Sequence, residues 1–265
     1  MTNFLIKKWY FDGVSEDGKT LIFYSAILIW HSIKVQYINY LYLGAQGDVR
    51  SESRYSNAQE PVIQGNKIFW KDEGLKIFGE WESDTPPLRA MLHNSQAGYL
   101  DWNCFHPAAR CHLHINNEPI LDGYGYVECL EMTVPPWKMG FNELRWGRFA
   151  NPDSPIVWIE LRGPSNFQWV FDGQTRIENA IISDEMIELP HQHKKLMLSE
   201  PTAIEDKEKI LEVVNSLVKW LPGFKSFTPF RFLRARESKW RSRGVLTSVD
   251  EKQHTGWVIH ELVKF

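Results

Sequence analysis

The part of the sequence richest in potentially reactive side chains runs from residue 121 to residue 149. Within it, Tyr124, Tyr126 and Glu128 alternate, so they are predicted to share one face of a β-strand. Aromatic neighbours desolvate a carboxyl group and so raise its pKa. A protonated carboxylic acid among phenol and indole rings can protonate an alkene, and the rings can stabilise the resulting carbocation. We therefore interpret Glu128 as a candidate general acid.

Further polar and aromatic residues around this segment complete the predicted site. Tyr126 and Asp101 are predicted to act with Glu128, and a water held by Asp101 or His112 is predicted to attack the cation. The residues predicted to contact the ligand are Tyr124, Trp102, Trp137, Trp146, His112 and His114.

Each of these residue types also has a structural interpretation. Glu128 could pair with Arg145 or Arg148 at the end of a β-barrel. His112 and His114 have the alternate spacing found in some metal sites, with His106 as a third ligand. Such histidines are more often exposed neighbours on adjacent strands or hydrogen-bonded residues lining a cavity, so no metal is predicted.

The composition defines the class of protein. The 265 residues include 12 tryptophans, and 43% are apolar, which favours a globular chain with a large core over a disordered one. A net charge of −3 argues against a nucleic-acid partner, although residues 231–243 mix basic and aromatic side chains. No apolar run has the length of a membrane-spanning helix, about 18 residues.

Motifs for common enzyme classes are absent from the sequence. It contains no nucleophile elbow, P-loop, zinc-protease motif or dinucleotide-binding glycine motif, so no cofactor is predicted. Cys104, Cys111 and Cys129 are an odd number of cysteines without metal-type spacing, which indicates reduced thiols in a cytoplasmic protein.

Strand-like patterns dominate the chain. Asp17-Gly18, Gly65-Asn66 and Asn116-Asn117 separate pairs of β-type segments and predict hairpins. Short strands at this spacing indicate a mainly β fold made of antiparallel sandwiches or barrels. Residues 204–221 are the exception, since apolar residues there recur at helical spacing and Pro222-Gly223 follows; they predict one amphipathic helix.

The sequence also suggests two similar halves. An aromatic stretch that begins at Trp9 precedes a turn and an apolar strand, and a stretch that begins at Trp146 does the same. Pro135-Pro136 interrupts the chain near its middle. We therefore predict two domains, residues 1–136 and 137–265, with the helix in the second.

Three short segments resemble one known family. They are Trp9-Tyr10-Phe11-Asp12-Gly13 near the start, Gly123-Tyr124-Gly125-Tyr126-Val127-Glu128 in the middle and Gly256-Trp257-Val258-Ile259-His260-Glu261 near the end. Together they are similar to the carotenoid 1,2-hydratase (hydroxyneurosporene synthase) family. The resemblance implies two tandem lipocalin-like β-barrels around a hydrophobic cavity, and water addition to, or rearrangement of, a polyene or terpenoid. It assigns the acid role to Glu128.

The chain departs from the family directly after this acid. Cys129-Leu130-Glu131-Met132 stands where active hydratases of the family carry a histidine or arginine, then any one residue, then Trp-Gly. The carotenoid substrate is therefore not carried over. The leading hypothesis is a hydratase, isomerase or cyclase acting on an apolar isoprenoid-like molecule. The alternatives are a non-catalytic lipocalin-like carrier of a hydrophobic ligand and a β scaffold with structural tryptophans.

Overall fold

The part of the chain that the structure describes consists almost wholly of antiparallel β-strands, which confirms the mainly β prediction. The computed structural model describes residues 4–55, 57–207, 236–248 and 252–265. Their strands form one sheet of ten and one of nine. No helix in these residues is long and apolar enough to cross a bilayer.

The strands of the first sheet are β1 (Phe4–Val14), β2 (Thr20–Trp30), β3 (Ile33–Leu43), β4 (Val49–Arg54), β5 (Val62–Gln64), β6 (Lys67–Asp72), β7 (Ile77–Glu82), β8 (Leu88–Ser95), β9 (Gly98–Ile115) and β10 (Glu118–Met132). A short 3-10 helix, Pro136–Lys138, follows them in the chain. The strands of the second sheet are β11 (Glu143–Ala150), β12 (Ile156–Arg162), β13 (Phe167–Asp172), β14 (Thr175–Ile177), β15 (Ile181–Ile182), β16 (Met186–Leu189), β17 (Lys194–Lys207), β18 (Arg236–Thr247) and β19 (Gln253–Lys264). A second 3-10 helix, Pro190–Gln192, lies between β16 and β17.

The two sheets repeat one strand order. The first runs β4-β3-β2-β1-β10-β9-β7-β6-β5, with β8 paired to β9. The second runs β14-β13-β12-β11-β19-β18-β17-β16-β15. Apart from β8 the orders match, since in each the first strand lies between the second strand and the last. A two-fold repeat of one β unit gives this arrangement.

The predicted hairpins are present. Asp17-Gly18 joins β1 to β2, and Gly65-Asn66 joins β5 to β6. Asn116 and Asn117 join β9 to β10 with φ values of 56° and 64°. Asparagine tolerates this left-handed region better than most residues, which explains why the chain reverses here.

The first sheet curls around an aromatic core. Phe23 on β2 and Trp70 on β6 have ring centroids 5.7 Å apart, although four strands lie between β2 and β6 in the sheet. Phe11 on β1 lies 5.1 Å from both Trp70 and Trp81. Only a strongly curved sheet brings these strands together, so its concave side is filled by stacked rings.

Strand alternation gives the first sheet a second, different face. Trp9 and Phe11 belong to the aromatic core, so Tyr10 and Asp12 project from the opposite face. All four residues are buried. Hence this opposite face of β1 is also removed from water.

The second sheet has its own apolar core, which includes Phe149, Trp158, Leu196 and Val258. Alternation along β11 again places a second set of side chains on the other face. Arg148, which neighbours Phe149 in sequence, lies there and is only 1% exposed.

The helix predicted for residues 204–221 is not observed in the part that can be compared. Residues up to Lys207 belong to β17, where Glu205 pairs with Lys239 and Asp206 pairs with Ser238 of β18. Pairing with a neighbouring strand overrides the local helical pattern. The remainder of the predicted helix, including Trp220, lies outside the described residues.

Contacts divide the chain into two compact units. The first contains Met1–Pro135 with the short pieces Ala150–Pro155 and Asp172–Thr175. The second contains Pro136–Phe149, Ile156–Phe171 and Arg176–Phe265. The sequence-predicted acid Glu128 therefore belongs to the first unit.

Candidate functional site

Glu128 is a buried carboxyl group with two hydrogen-bond donors. Its side chain is 9% exposed. Trp102 on β9 donates its indole N–H to Oε2 over 2.5 Å, and Tyr126 donates its hydroxyl to the same oxygen over 2.6 Å. Indole and phenol are both weak acids, so the two donors hold one oxygen of the carboxyl in place without neutralising it.

Strand β1 supplies a second carboxyl group beside the first. In the register of β1 and β10, Tyr10 pairs with Glu128 and Asp12 pairs with Tyr126. Directly paired residues share a face, so these four side chains lie together opposite the aromatic core. The Tyr10 hydroxyl donates to Asp12 Oδ2 over 2.8 Å. Asp12 is fully buried.

Aromatic rings surround the two carboxyl groups. The Tyr10 ring packs edge-on against Tyr24 at 5.4 Å and against Tyr126 at 6.0 Å. The ammonium of Lys8 lies 4.5 Å from the centre of the Tyr24 ring. We call Tyr10, Asp12, Tyr24, Trp102, Tyr126 and Glu128 the acid–aromatic cluster. Ring faces next to carboxyl groups are suited to stabilising positive charge that develops on a substrate.

The phenol of Tyr126 is held in its neutral form. Burial raises the pKa of Tyr126 well above its ordinary value, and the neighbouring Cys104 and Glu128 add to the shift. Burial disfavours the phenolate because its charge loses hydration. Tyr126 therefore remains a hydrogen-bond donor to Glu128 over the ordinary pH range.

A pair of glycines lets the aromatic core support this cluster. Gly13 and Gly125 pair across β1 and β10. A Cβ on Gly125 would lie 2.5 Å from Trp81, and one on Gly13 would lie 2.6 Å from Cys111 Sγ. Because neither glycine has a side chain, the Trp81 indole can approach β1 and donate to the backbone oxygen of Asp12 over 2.8 Å. The core thus fixes the backbone that carries Asp12.

The structure separates Asp101 from Glu128. Asp101 pairs with Glu131, which lies two residues beyond the core residue Cys129 and therefore on the core side of β10. Its Oδ2 accepts a hydrogen bond from Asn103 over 2.7 Å. Trp102 and Asp101 are neighbours in sequence and so face opposite ways, which is why only Trp102 reaches the acid.

Tyr124 and His112 line a separate cavity of about 490 Å3 in the first unit. The guanidinium of Arg110 lies 4.4 Å from the centre of the Tyr124 ring. His112 is exposed, and its Nδ1 lies 2.6 Å from Asp122 Oδ1. Tyr124 shares a face with Tyr126 and Glu128, as predicted, because all three pair with alternate residues of β1.

The remaining predicted ligand residues lie elsewhere. His114 packs edge-on against Phe78 at 5.7 Å. Trp137 lies in the 3-10 helix Pro136–Lys138, and Trp146 is a buried residue of β11. Both tryptophans belong to the second unit.

Sequence reasoning missed Tyr10, Asp12 and Tyr24. One signal was present, because the pattern of a tyrosine and an acid two residues later occurs both as Tyr10-Phe11-Asp12 and as Tyr126-Val127-Glu128. The pairing of these two segments depends on the sheet register, which no local pattern reveals.

The second unit contains a buried charged group. Lys239 is fully buried and pairs with Glu237 at 2.6 Å and with Glu261 at 2.9 Å. Burial favours the neutral amine, but the carboxylates of Glu237, Glu261 and Glu205 outweigh it and raise the pKa of Lys239. The ammonium is therefore retained, which excludes Lys239 as an amine nucleophile near neutral pH.

A cavity of about 560 Å3 lies in the second unit. Its wall includes His260 and Trp240, whose rings stack at 5.3 Å. His260 Nε2 is 2.8 Å from the hydroxyl of Ser242. Burial lowers the pKa of His260 to about 4, with Asp184 opposing the shift and Arg145 adding to it. His260 is therefore neutral near pH 7.

Possible metal ligands are dispersed. Across residues 4–55, 57–207, 236–248 and 252–265, no three His, Cys, Asp or Glu side chains are grouped to hold a metal ion. The three cysteines form no disulfide and are buried.

Solved structures with the same fold include three informative examples. CghA with Sch210972 has a TM-score of 0.57 and 11% identity, covering 99% of this chain and 89% of that one. A putative AttH from Nitrosomonas europaea has a TM-score of 0.55 and 11% identity, and the match covers 99% of this chain and 93% of that one. Kievitone hydratase from Nectria haematococca has a TM-score of 0.53 and 9% identity, and the match covers 97% of this chain and 88% of that one. No family model and no curated protein sequence matches the chain.

These likenesses extend over nearly the whole chain and support the expected lipocalin-like β-barrel fold. At identities of 9 to 11% they establish the fold alone. By their names, one of these structures is a hydratase and another is CghA crystallised with Sch210972. What this chain does has to be argued from its own residues.

Proposed function

We propose that the protein is an enzyme of the hydratase, isomerase or cyclase type that acts on an apolar, unsaturated, isoprenoid-like molecule. The observation that carries the proposal is the position of Glu128, a buried carboxyl group bound by Trp102 and Tyr126 within the acid–aromatic cluster. Burial of an ionisable group among aromatic rings costs stability and is common at catalytic sites.

The arrangement defines a chemical role for each contact. Oε2 of Glu128 already accepts two hydrogen bonds, so a proton on this carboxyl resides on Oε1. Transfer of that proton to an alkene carbon leaves a carbocation and a carboxylate. The carboxylate keeps both donors, and the rings of Tyr10 and Tyr126 stabilise the cation. Water attack completes a hydration, and loss of a proton completes an isomerisation or cyclisation.

The comparisons make this class of reaction a reasonable choice. One protein with the same fold is named a hydratase, and another binds Sch210972. We also retain the proposal that the chain forms two tandem lipocalin-like domains, residues 1–136 and 137–265. Asp101 has no role in this proposal, because it lies on the opposite face of its strand from Trp102.

A non-catalytic carrier is the competing function. A lipocalin-type carrier would hold its ligand inside the barrel. The concave side of the first sheet is instead occupied by Phe11, Phe23, Trp70 and Trp81. This packing favours a ligand site at the acid–aromatic cluster over one in the aromatic core.

Solvent deuterium uptake tests the proposal. The protein is incubated in D2O with kievitone or with geraniol, and the products are analysed by mass spectrometry and NMR. Protonation by Glu128 places deuterium on a former alkene carbon. We expect Glu128→Gln to reduce this uptake at least 100-fold, because the amide cannot deliver the proton, within the range of about 10²–10⁴-fold for general acids.

Glu131→Gln is the matched control. Glu131 lies on the same strand and accepts a hydrogen bond from Tyr99, but it is on the core side of β10. This variant should retain wild-type uptake. Binding of either compound without deuterium uptake would support the carrier, and equal uptake by Glu128→Gln and wild type would remove Glu128 from the mechanism.

A further inference from the structure

The acid–aromatic cluster contains the same two-residue unit twice. On β1, the hydroxyl of Tyr10 donates to Asp12 at 2.8 Å, and on β10, the hydroxyl of Tyr126 donates to Glu128 at 2.6 Å. In each unit the tyrosine precedes the acid by two residues. Since strand side chains alternate, each phenol lies beside its own carboxyl group on the same face.

The antiparallel register crosses the two units. Tyr10 pairs directly with Glu128, and Asp12 pairs directly with Tyr126. Side chains of directly paired residues have Cβ atoms about 5 Å apart, and diagonal ones about 7–8 Å. The Tyr10 and Tyr126 rings themselves lie 6.0 Å apart. Each tyrosine therefore bonds to the carboxyl group of its own strand and is paired across the strands with the residue that carries the other, and we call these four residues the quartet.

Asp12 is a fully buried carboxyl group on a largely apolar strand. An aspartate with no solvent exposure, on a strand with apolar neighbours, needs partners that offset its lost hydration, and the Tyr10 hydroxyl is one of them. The neighbouring positions Phe11 and Val14 show that this strand accepts apolar residues. The same phenol contact is repeated at Glu128, the residue to which the acid role is assigned.

We propose that Tyr10 and Asp12 form a proton relay that serves as the base of this site, opposite Glu128 as its acid. This inference rests on the proposed function and extends it, because it makes the site bifunctional and the preferred reaction a hydration. Asp12 acts through the phenol of Tyr10, which is the group that contacts the attacking water.

The proton balance of the step is complete. Glu128 gives its proton to one alkene carbon, and the water oxygen forms a bond to the other. The water proton passes to the Tyr10 oxygen as the Tyr10 proton passes to Asp12 Oδ2. Glu128 then carries the negative charge and Asp12 the proton, and one proton transfer from Asp12 to Glu128 through the quartet restores the starting state. No oxidant, reductant or metal is required.

Two labels separate the acid step from the base step. Wild type and variants are incubated with kievitone or with geraniol in D2O, and separately in water enriched in ¹⁸O. Deuterium on carbon reports protonation by Glu128, and ¹⁸O in the product reports water addition. We expect Tyr10→Phe and Asp12→Asn to retain deuterium uptake within about threefold while losing at least tenfold in ¹⁸O incorporation, within the usual range for a general base.

Tyr99→Phe is the matched control, because Tyr99 also donates to a glutamate, Glu131, away from the cluster. It should preserve both labels. Tyr10→Phe keeps the ring and its packing, so it tests the relay even if Asp12→Asn fails to fold.

A parallel loss of both labels in a folded Tyr10→Phe variant would overturn the relay and leave the proposed function intact. Unchanged ¹⁸O incorporation in that variant would overturn it as well. Wild-type protein that takes up neither label contradicts the proposed function and the relay together.

Discussion

At the scale of single residues, the proposed chemistry depends on which side chains alternate onto the same face. Trp102 and Asp101 are adjacent in sequence, yet only Trp102 contacts Glu128. Asp12 is separated from Glu128 by most of the first sheet's sequence, yet its neighbour Tyr10 is paired with that acid. A residue's relation to the site is therefore set by strand parity and by register, and sequence proximity is a poor guide to either.

The buried thiols give a prediction at this scale. Cys104, Cys111 and Cys129 are all buried, and burial raises the pKa of Cys129 to about 12. Because the thiolate is the reactive form, native protein should react with 5,5′-dithiobis(2-nitrobenzoate) over hours, whereas unfolded protein should release three equivalents of thionitrobenzoate within minutes. Rapid release of one equivalent from native protein would show that a cysteine is accessible.

At the scale of elements, hairpins and strands were predictable, and their pairing partners only in part. Turn residues located the β1–β2, β5–β6 and β9–β10 connections correctly, because asparagine and glycine accept the backbone angles that tight turns need. The pairing of β1 with β10 joins strands that are distant in sequence. That pairing is decided by closing a curved sheet around the core, which local patterns do not encode.

The glycine pair on β1 and β10 predicts how sensitive this pairing is. Gly125→Ala introduces a methyl group that meets Trp81 at 2.5 Å. Overpacking of this kind should lower the free energy of unfolding by about 1–3 kcal/mol, measured by urea denaturation. In a Trp81→Phe background, the smaller ring should reduce the cost of the same methyl group. Strictly additive effects in this double-mutant cycle would mean that the two side chains do not compete for the space.

At the scale of the whole molecule, the protein contains two sheets of the same strand order with different chemistry on their buried faces. The first sheet presents phenols and carboxyl groups around Glu128, and the second presents the fully buried ammonium of Lys239 with its carboxylates. Repetition of the fold therefore does not repeat the site. The proposed acid and its relay belong to the first unit, and the neutral His260 belongs to the second.

The pH dependence of the free energy of unfolding should reveal the lowered pKa of His260. Its pKa of about 4 in the folded protein lies below the ordinary value of 6.5, so the unfolded chain binds the proton more tightly. Stability from this group is therefore complete above pH 6.5 and is lost as the pH falls towards 4. Between pH 7 and pH 4.5 the wild type should lose on the order of 2 kcal/mol more than His260→Gln, measured by urea denaturation. Equal losses would show that His260 is not protonated on unfolding.

The sequence by itself determined the β class and the hairpins, and it predicted the central acid with its neighbouring tyrosine. These follow from alternation, turn chemistry and the unusual aromatic content, all of which are local properties. The tertiary structure decided that Glu205 and Asp206 extend a strand instead of starting a helix, because pairing with β18 outweighs a local periodicity. It also decided that Asp101 faces away from Glu128 and that Tyr10 and Asp12 share the face of Glu128, because a sheet's register fixes which distant residues meet on one face.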